Sequence, residues 1–487
     1  MKTAFNIFSV LILIVSSFAY FLNINLSNKA YLFIAMVQIV FFVKTGLQYK
    51  RDVFTSWANP IYVLLFSLVV VNYQTLANVS LGLGSVGDYM YGAGGYEYLI
   101  NPCLAITVAS MSCFMLAVIN YRDKHYWNKD NYQYSEKIVN TLLLIAFAYF
   151  ILTINIRDFL SGAVYHGSGA SDAGVASYGY AERFLDSMIF IALAVYSHNI
   201  KIGETVNTLK GYLKKIPKVF FIVVGLYMIL RLFSGDRGPV IYILFAILYS
   251  CMYCTRLKIK LITFLAVGIF GVVVMATLSY ARAQSSDISF SEKMKIGNEL
   301  LTATGVPNIS PFTQELANSN ICTLIMIDDI NKGVTSYKYG SNAISVLLNC
   351  LPGMGIIKSI IRFPDFLDVK ASTTYITESA NGGTDYESGY GSTLIADYYY
   401  DWGLLGCLLG FVLLGIVYMR FASAIVFGRP MSVVSLIIML KMTSLSIYIP
   451  RSTMWASVGS TVFILVIYFI ADFIFRIRKG HYYGEKI

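Results

Sequence analysis

The sequence predicts an all-α, polytopic membrane protein with about twelve transmembrane helices and one large outer loop that contains short helices. Three observations predict it. Of the 487 residues, 57% are hydrophobic and only 13% are charged, against roughly 25% charged in soluble domains. The mean hydropathy is +0.64. Apolar runs of about 20 residues, the length a helix needs to cross a hydrocarbon core, recur along the whole chain.

In order, the runs fall near 4–22, 29–46, 58–78, 99–120, 138–156, 183–200, 217–233, 239–255, 261–280, 400–419, 431–449 and 459–477. The first follows Lys2 and contains Ser17-Phe18-Ala19, which resembles a cleavage site. It is long for a signal-peptide core and reads as a retained span. With the amino terminus inside, 22 of the 37 Lys and Arg residues fall in short inner segments, the arrangement that the positive-inside rule demands. The short outer loops keep only Lys29, Arg157, Arg183, Arg237 and Arg451. Both termini are therefore expected in the cytoplasm. Residues 1–280 carry helices one to nine, 281–397 form the outer loop, and 398–487 carry helices ten to twelve and a tail.

The 281–397 loop is long enough to need structure of its own or a function. Ser310-Pro311 opens a helical run through Ile330, and the apolar stretch from Ala343 to Ile361 is broken at Pro352-Gly353. That stretch fits either an interfacial position or a re-entrant hairpin. The end of the loop is rich in Gly, Ser, Thr and Tyr and reads as a mobile segment.

The net charge of +10 comes from scattered residues with no basic run, which excludes a nucleic-acid footprint. Seven cysteines are too few for a disulfide framework, and Cys103, Cys113, Cys251, Cys254 and Cys407 lie in apolar runs, as small hydrophobes do. Cys322 and Cys350 share the outer loop and either pair or stay free. No H-E-x-x-H, phosphate-binding loop or G-x-S-x-G is present, so no metal and no cofactor are expected.

Four groups of residues are left that carry chemistry. Ser234-Gly235-Asp236-Arg237-Gly238-Pro239 is a tight outer turn that presents Arg237 beside Asp236, with Arg231 just before it. A guanidinium there grips a diphosphate bidentately or anchors to headgroups. Arg451 after Pro450, and Arg282 past the ninth run, carry the same two readings. Lys441 sits mid-span, where insertion costs about 2.5–3.5 kcal/mol. It either serves substrate or pairs with a buried group such as Asp472. The last group runs from Thr384 through Asp385, Tyr386, Glu387, Tyr390 and Asp397 to Asp401-Trp402-Gly403. Carboxylates among aromatic rings suit a sugar, and an interfacial aromatic belt accounts for Tyr398 to Trp402 equally well.

The Gly235-x-Arg237-Gly238 turn, the large outer loop, and the segment Gly389-x-Gly391-Ser392-x-Leu394-Ile395-Ala396-Asp397 running into Asp401-Trp402-Gly403-Leu404-Leu405-Gly406 together resemble Wzy-type polymerases of O-antigen and capsular polysaccharide. The family often has Glu where this chain has Asp397. The resemblance implies a fold similar to C-type glycosyltransferases in the bacterial cytoplasmic membrane. It also implies joining of undecaprenyl-diphosphate-linked oligosaccharide repeat units at the outer membrane face without metal. Arg237, Arg282 and Arg451 would then clamp the diphosphate, and Asp397, Glu387 or Glu378 would take the acceptor proton. Asp236, Tyr386, Tyr390 and Lys441 would contact substrate. The implied partners are the lipid-linked oligosaccharide, membrane lipid, and the chain-length regulator and flippase of the same pathway. A lipid-linked oligosaccharide flippase or other twelve-span transporter is the first alternative, and an O-antigen ligase the second.

Overall fold

The computed structural model describes residues 1–89, 95–122, 132–154, 172–203, 206–234, 236–266, 313–351, 353–361, 364–384, 389–475 and 477–481, with single positions 156, 268, 271, 292 and 295. The chain is built from α-helices. The first five are α1 (Lys2–Phe21), α2 (Asn28–Tyr49), α3 (Pro60–Ser80), α4 (Ile100–Asn120) and α5 (Glu136–Thr153). They are followed by α6 (Asp172–Gly203), α7 (Leu209–Lys215), α8 (Lys218–Phe233) and α9 (Gly238–Thr255). The 281–397 segment supplies α10 (Ile321–Asn331), α11 (Ser341–Asn349), α12 (Met354–Ile360) and α13 (Ser372–Asn381). The last three are α14 (Leu394–Phe427), α15 (Val433–Ser444) and α16 (Met454–Phe475).

Local sequence sets the starts. Asn59 accepts from the Ile61 and Tyr62 N–H groups, with Pro60 in the first turn of α3, which satisfies donors the helix cannot satisfy itself. Thr393 does the same for Ala396 at the start of α14, 3.1 Å away.

Eight of the described helices are long and apolar enough to cross a membrane, and the bent pair α7 and α8, at 97°, makes a ninth crossing if it counts as one. The expected number of twelve is not reached by length and composition among the described residues, at two places. The run at 183–200 lies within α6, whose Glu182, Arg183, Asp186 and Lys201 make it too polar to qualify. The run at 431–449 is cut short because α15 ends at Ser444. Most of the run at 261–280 lies outside the described residues.

Burial sorts the helices into a core and a ring. The apolar windows of α3 and α4 are 78% and 83% buried, whereas those of α1 and α5 are 28% buried and those of α2 and α16 are 33% buried. The ring turns its remaining apolar surface outward, as lipid contact requires.

The basic segments that join these helices form one face. Lys50 Nζ donates to the Tyr121 carbonyl at 2.7 Å, and Asn6 bonds Asn120 at 3.0 Å. Lys201 Nζ donates to the Tyr253 carbonyl, and the Gly428 turn closes on Lys201, Tyr253 and Arg256. Strand β1 (Tyr132–Tyr134) pairs antiparallel with β2 (Arg478–His481). The start of α1, the segment before α5 and the segment after α16 therefore share one face. The opposite ends of the helices carry the turn before α9 and the starts of α14 and α16.

Candidate functional site

The first cluster is built on α14. Asp397 and Asp401 lie one turn apart, and α14 breaks immediately after them, at Trp402 (φ −140°, ψ 22°) and Gly403 (φ 59°, ψ −146°). A break frees carbonyls that a continuous helix would occupy. The loop before α11 takes them, with Lys338 N–H donating to the Tyr400 carbonyl at 2.9 Å and Tyr339 N–H to the Asp401 carbonyl at 2.8 Å.

The Asp401 carboxylate accepts from the Gly340 and Asn342 N–H groups at 3.1 and 3.3 Å, which caps α11. Asp397, fully buried, accepts from Asn342 Nδ2 at 3.0 Å, Ser372 Oγ at 2.8 Å and the Met454 N–H at 3.0 Å. It thus holds the starts of α13 and α16 at once. The Asn342 amide bridges the two carboxylates and its oxygen takes the Ser372 N–H at 3.1 Å. Tyr398, Tyr399 and Tyr400 are buried among protein, with only Trp402 outward at 43% exposure. This corrects the aromatic-belt reading for the three tyrosines.

Arg451, half-buried, ends a short turn (Ile449–Arg451) three residues before Met454, so Asp397 pins the backbone that carries it. Its guanidinium lies near the Cys322 thiol, which burial pushes up to about 12 despite that neighbour. Cys322 and Cys350 are free thiols. Tyr390 is anchored through its N–H to Thr377 Oγ1 at 3.1 Å, and its carbonyl takes the Cys322 thiol. With Ser392 and Thr393 buried, the end of the loop packs against protein from Tyr390 onward. Glu378, on α13, pairs with Lys370 at 2.5 Å.

Beside this cluster α10 contributes two acids for which the sequence reading had no role. Asp329 accepts from Tyr375 at 2.9 Å and Ser379 at 2.6 Å, and Tyr375 stacks on Tyr400 at 5.3 Å. Burial and the Asp329 carboxylate push the Tyr375 phenol up, so it stays a neutral donor. Asp328 takes Lys332 Nζ at 2.7 Å and the Tyr98 hydroxyl. The available signal was an acid pair at the end of the apolar stretch Ile321 to Ile327.

The second cluster joins α6, α8, α9 and α15. Arg231, buried, bonds Glu182 and lies 3.4 Å from Asp236. Asp236 accepts the Gly238 N–H at 3.1 Å, and its own N–H reaches the Arg231 carbonyl at 3.1 Å. Those bonds fix the turn that presents Arg237, half-buried, at the start of α9. Lys441 pairs with Asp186 at 2.8 Å and lies 4.5 and 4.4 Å from the ring centroids of Phe190 and Tyr242. Its carboxylate partner is therefore Asp186, on α6, in place of the Asp472 considered from sequence. The two clusters adjoin where α6 packs on α16, and the Arg183 charge on α6 is felt at Cys350. Arg282, Tyr386 and Glu387 lie outside the described residues.

Fold and site together define a multi-pass helical membrane protein whose arginine-bearing turns are held by carboxylates, one half-buried and one buried, at one end of the bundle. Residues 4–479 match the family model described as O-antigen polysaccharide polymerase Wzy. The chain belongs to that family, and with it to the membrane proteins of bacterial polysaccharide biosynthesis. No curated protein and no solved structure matches it.

Proposed function

We propose that the protein joins undecaprenyl-diphosphate-linked oligosaccharide repeat units at the outer face of the bacterial cytoplasmic membrane. The supporting observation is that two outer-turn arginines, Arg237 and Arg451, each sit on backbone held by a carboxylate, Asp236 for one and Asp397 for the other. Such arginines keep their place while the charge on a bound ligand grows, which is what preorganised electrostatic catalysis requires.

In the reaction, an acceptor hydroxyl oxygen bonds to the anomeric carbon of the donor chain while the bond from that carbon to the diphosphate oxygen breaks. The leaving diphosphate carries its own negative charge, so it needs cations rather than a proton. Arg237, Arg451 and Arg282 supply them. The hydroxyl proton goes to a carboxylate of the loop, Glu378 or Glu387. Asp397 already has both oxygens occupied by donors and serves as the scaffold for Arg451. Tyr390 and Tyr386 offer rings to the sugar, and Lys441 supports the site from below through Asp186.

Purified protein with a defined undecaprenyl-diphosphate repeat unit should give a ladder of products. Arg237→Ala or Arg451→Ala should lower the rate about 10²–10³-fold with the melting temperature in detergent unchanged. A normal ladder from either variant removes that residue from the clamp. Transfer to a lipid A core in place of a second repeat unit would make the protein a ligase.

A further inference from the structure

The α11–α12 hairpin has no place in the chemistry above, yet its outward surface is apolar. Along α11, Asn342, Ser345 and Val346 are buried against the protein, while Ile344 is 44% exposed and Leu347 and Leu348 are half-buried. Along α12, Ile357, Ile360 and Ile361 are 41%, 76% and 58% exposed. Both sets follow the i, i+3, i+4 spacing of one helix face. In water, six aliphatic side chains on two adjoining helix faces form the kind of patch that soluble surfaces avoid.

Three further observations say what covers it. First, the chain from Tyr339 to Ile357 contains no Asp, Glu, Lys or Arg, and the one charge between it and Ile361, Lys358, is paired with Asp368 at 2.9 Å, so the segment brings little net charge to a lipid surface. Second, the Cys350 Sγ closes on Gly459 so tightly that a Cβ there would meet it. The end of α11 therefore rests on α16 five residues past its start at Met454, about 7 Å along a membrane-crossing helix. Third, the Gly340 turn packs on Trp402. Trp402 heads an outward row with Leu405, Leu409 and Leu413, which are 59%, 62% and 51% exposed. The hairpin face thus continues the lipid-facing stripe of α14.

We infer that the hairpin formed by α11 and α12 inserts into one leaflet of the bilayer, its apolar face against lipid acyl chains. Helices of nine and seven residues leave most of their terminal N–H and C=O groups without intrahelical partners, so the hairpin lies at the boundary of headgroups and acyl chains and does not cross the bilayer. Part of the large loop is thereby tied to the membrane surface, at the height where α14 and α16 begin. The inference requires α16 to be a span and is independent of the polymerase reading.

The test is tryptophan fluorescence of the full chain in phosphatidylcholine vesicles. Ile360→Trp and, separately, Ile344→Trp add emission over the parent. With acyl-chain-brominated lipid both should lose most of the added emission, and aqueous iodide should leave it nearly intact. Quenching by iodide but not by bromolipid puts the hairpin in water and overturns the inference. Quenching by neither puts a protein surface, such as a second copy, over the patch and also overturns it. Unchanged melting temperatures certify that each variant is folded. Since no product is measured, a failed polymerase assay and a failed insertion test are separate results.

Discussion

The chain uses the same device twice, two acids spaced i, i+4 on one helix face, and surrounds the two pairs differently. On α6, Glu182 and Asp186 face Arg231 and Lys441. On α14, Asp397 and Asp401 face backbone N–H groups, one amide and one hydroxyl. The difference is one of exchangeability. A second anion competes with a carboxylate for a guanidinium or an ammonium, so a charge-to-charge pairing is exchangeable in principle. Donors at the starts of three other helices have no such competitor inside the protein, and a carboxylate that serves them becomes part of the scaffold. The α6 side neutralises two cations inside the bundle, and the α14 side fixes shape.

The comparison breaks most readily at Asp397. Asp397→Ala takes the acceptor from the Met454 N–H and one of two acceptors from both Asn342 Nδ2 and Ser372 Oγ, which keep Asp401 and Ser392, at roughly 1–3 kcal/mol for each donor left unsatisfied, so a large drop in the detergent melting temperature is expected. Asp397→Asn, which keeps one acceptor oxygen, should fall between. A variant Asp397→Ala that melts like the parent yet makes no polymer would move this residue from scaffold to chemistry. Next comes Lys441→Met, which strands the Asp186 charge inside the bundle at about 3–5 kcal/mol. Adding Asp186→Leu should restore most of the loss. If the double variant melts as low as the single one, the pair is not the unit described. The smallest effect is expected at Gly403→Ala, where an L-residue must adopt a positive φ of 59° and its methyl stands 3.0 Å from the Tyr337 ring. A cost of roughly 1–3 kcal/mol is expected, and an unchanged melting curve would mean that the break in α14 is not held rigidly.

Much of the scaffold was legible because lipid imposes one rule on long apolar runs. The helices α1 to α5, α9, α14 and α16 lie where those runs fall. The failures share a cause. On α6, charged residues lower the apparent hydropathy because their partners come from distant sequence, Asp186 and Lys441 being 255 residues apart. The same separation hid the partner of Lys441. At the site, the turn before α9 was readable from Asp236, Gly238 and Pro239, whose local chemistry makes the turn. Asp397 was conspicuous for its acidic and aromatic surroundings, yet its work as a cap for α16 depends on Met454, Asn342 and Ser372, which no local pattern connects to it. The i, i+4 spacing of Asp397 and Asp401 was the one sequence clue that both carboxylates leave the same face.

The β1–β2 pair has a bearing on assembly time. Tyr134 finds its partner Arg478 about 344 residues further along the chain, which at ordinary rates of synthesis is roughly 20–70 s after it is made. During that interval helices α5 to α16 are made while the segment before α5 waits without its strand partner. Mutual adjustment between the early and late helices stays open until β2 docks, which gives the small two-stranded clasp a say in when the bundle takes its final register.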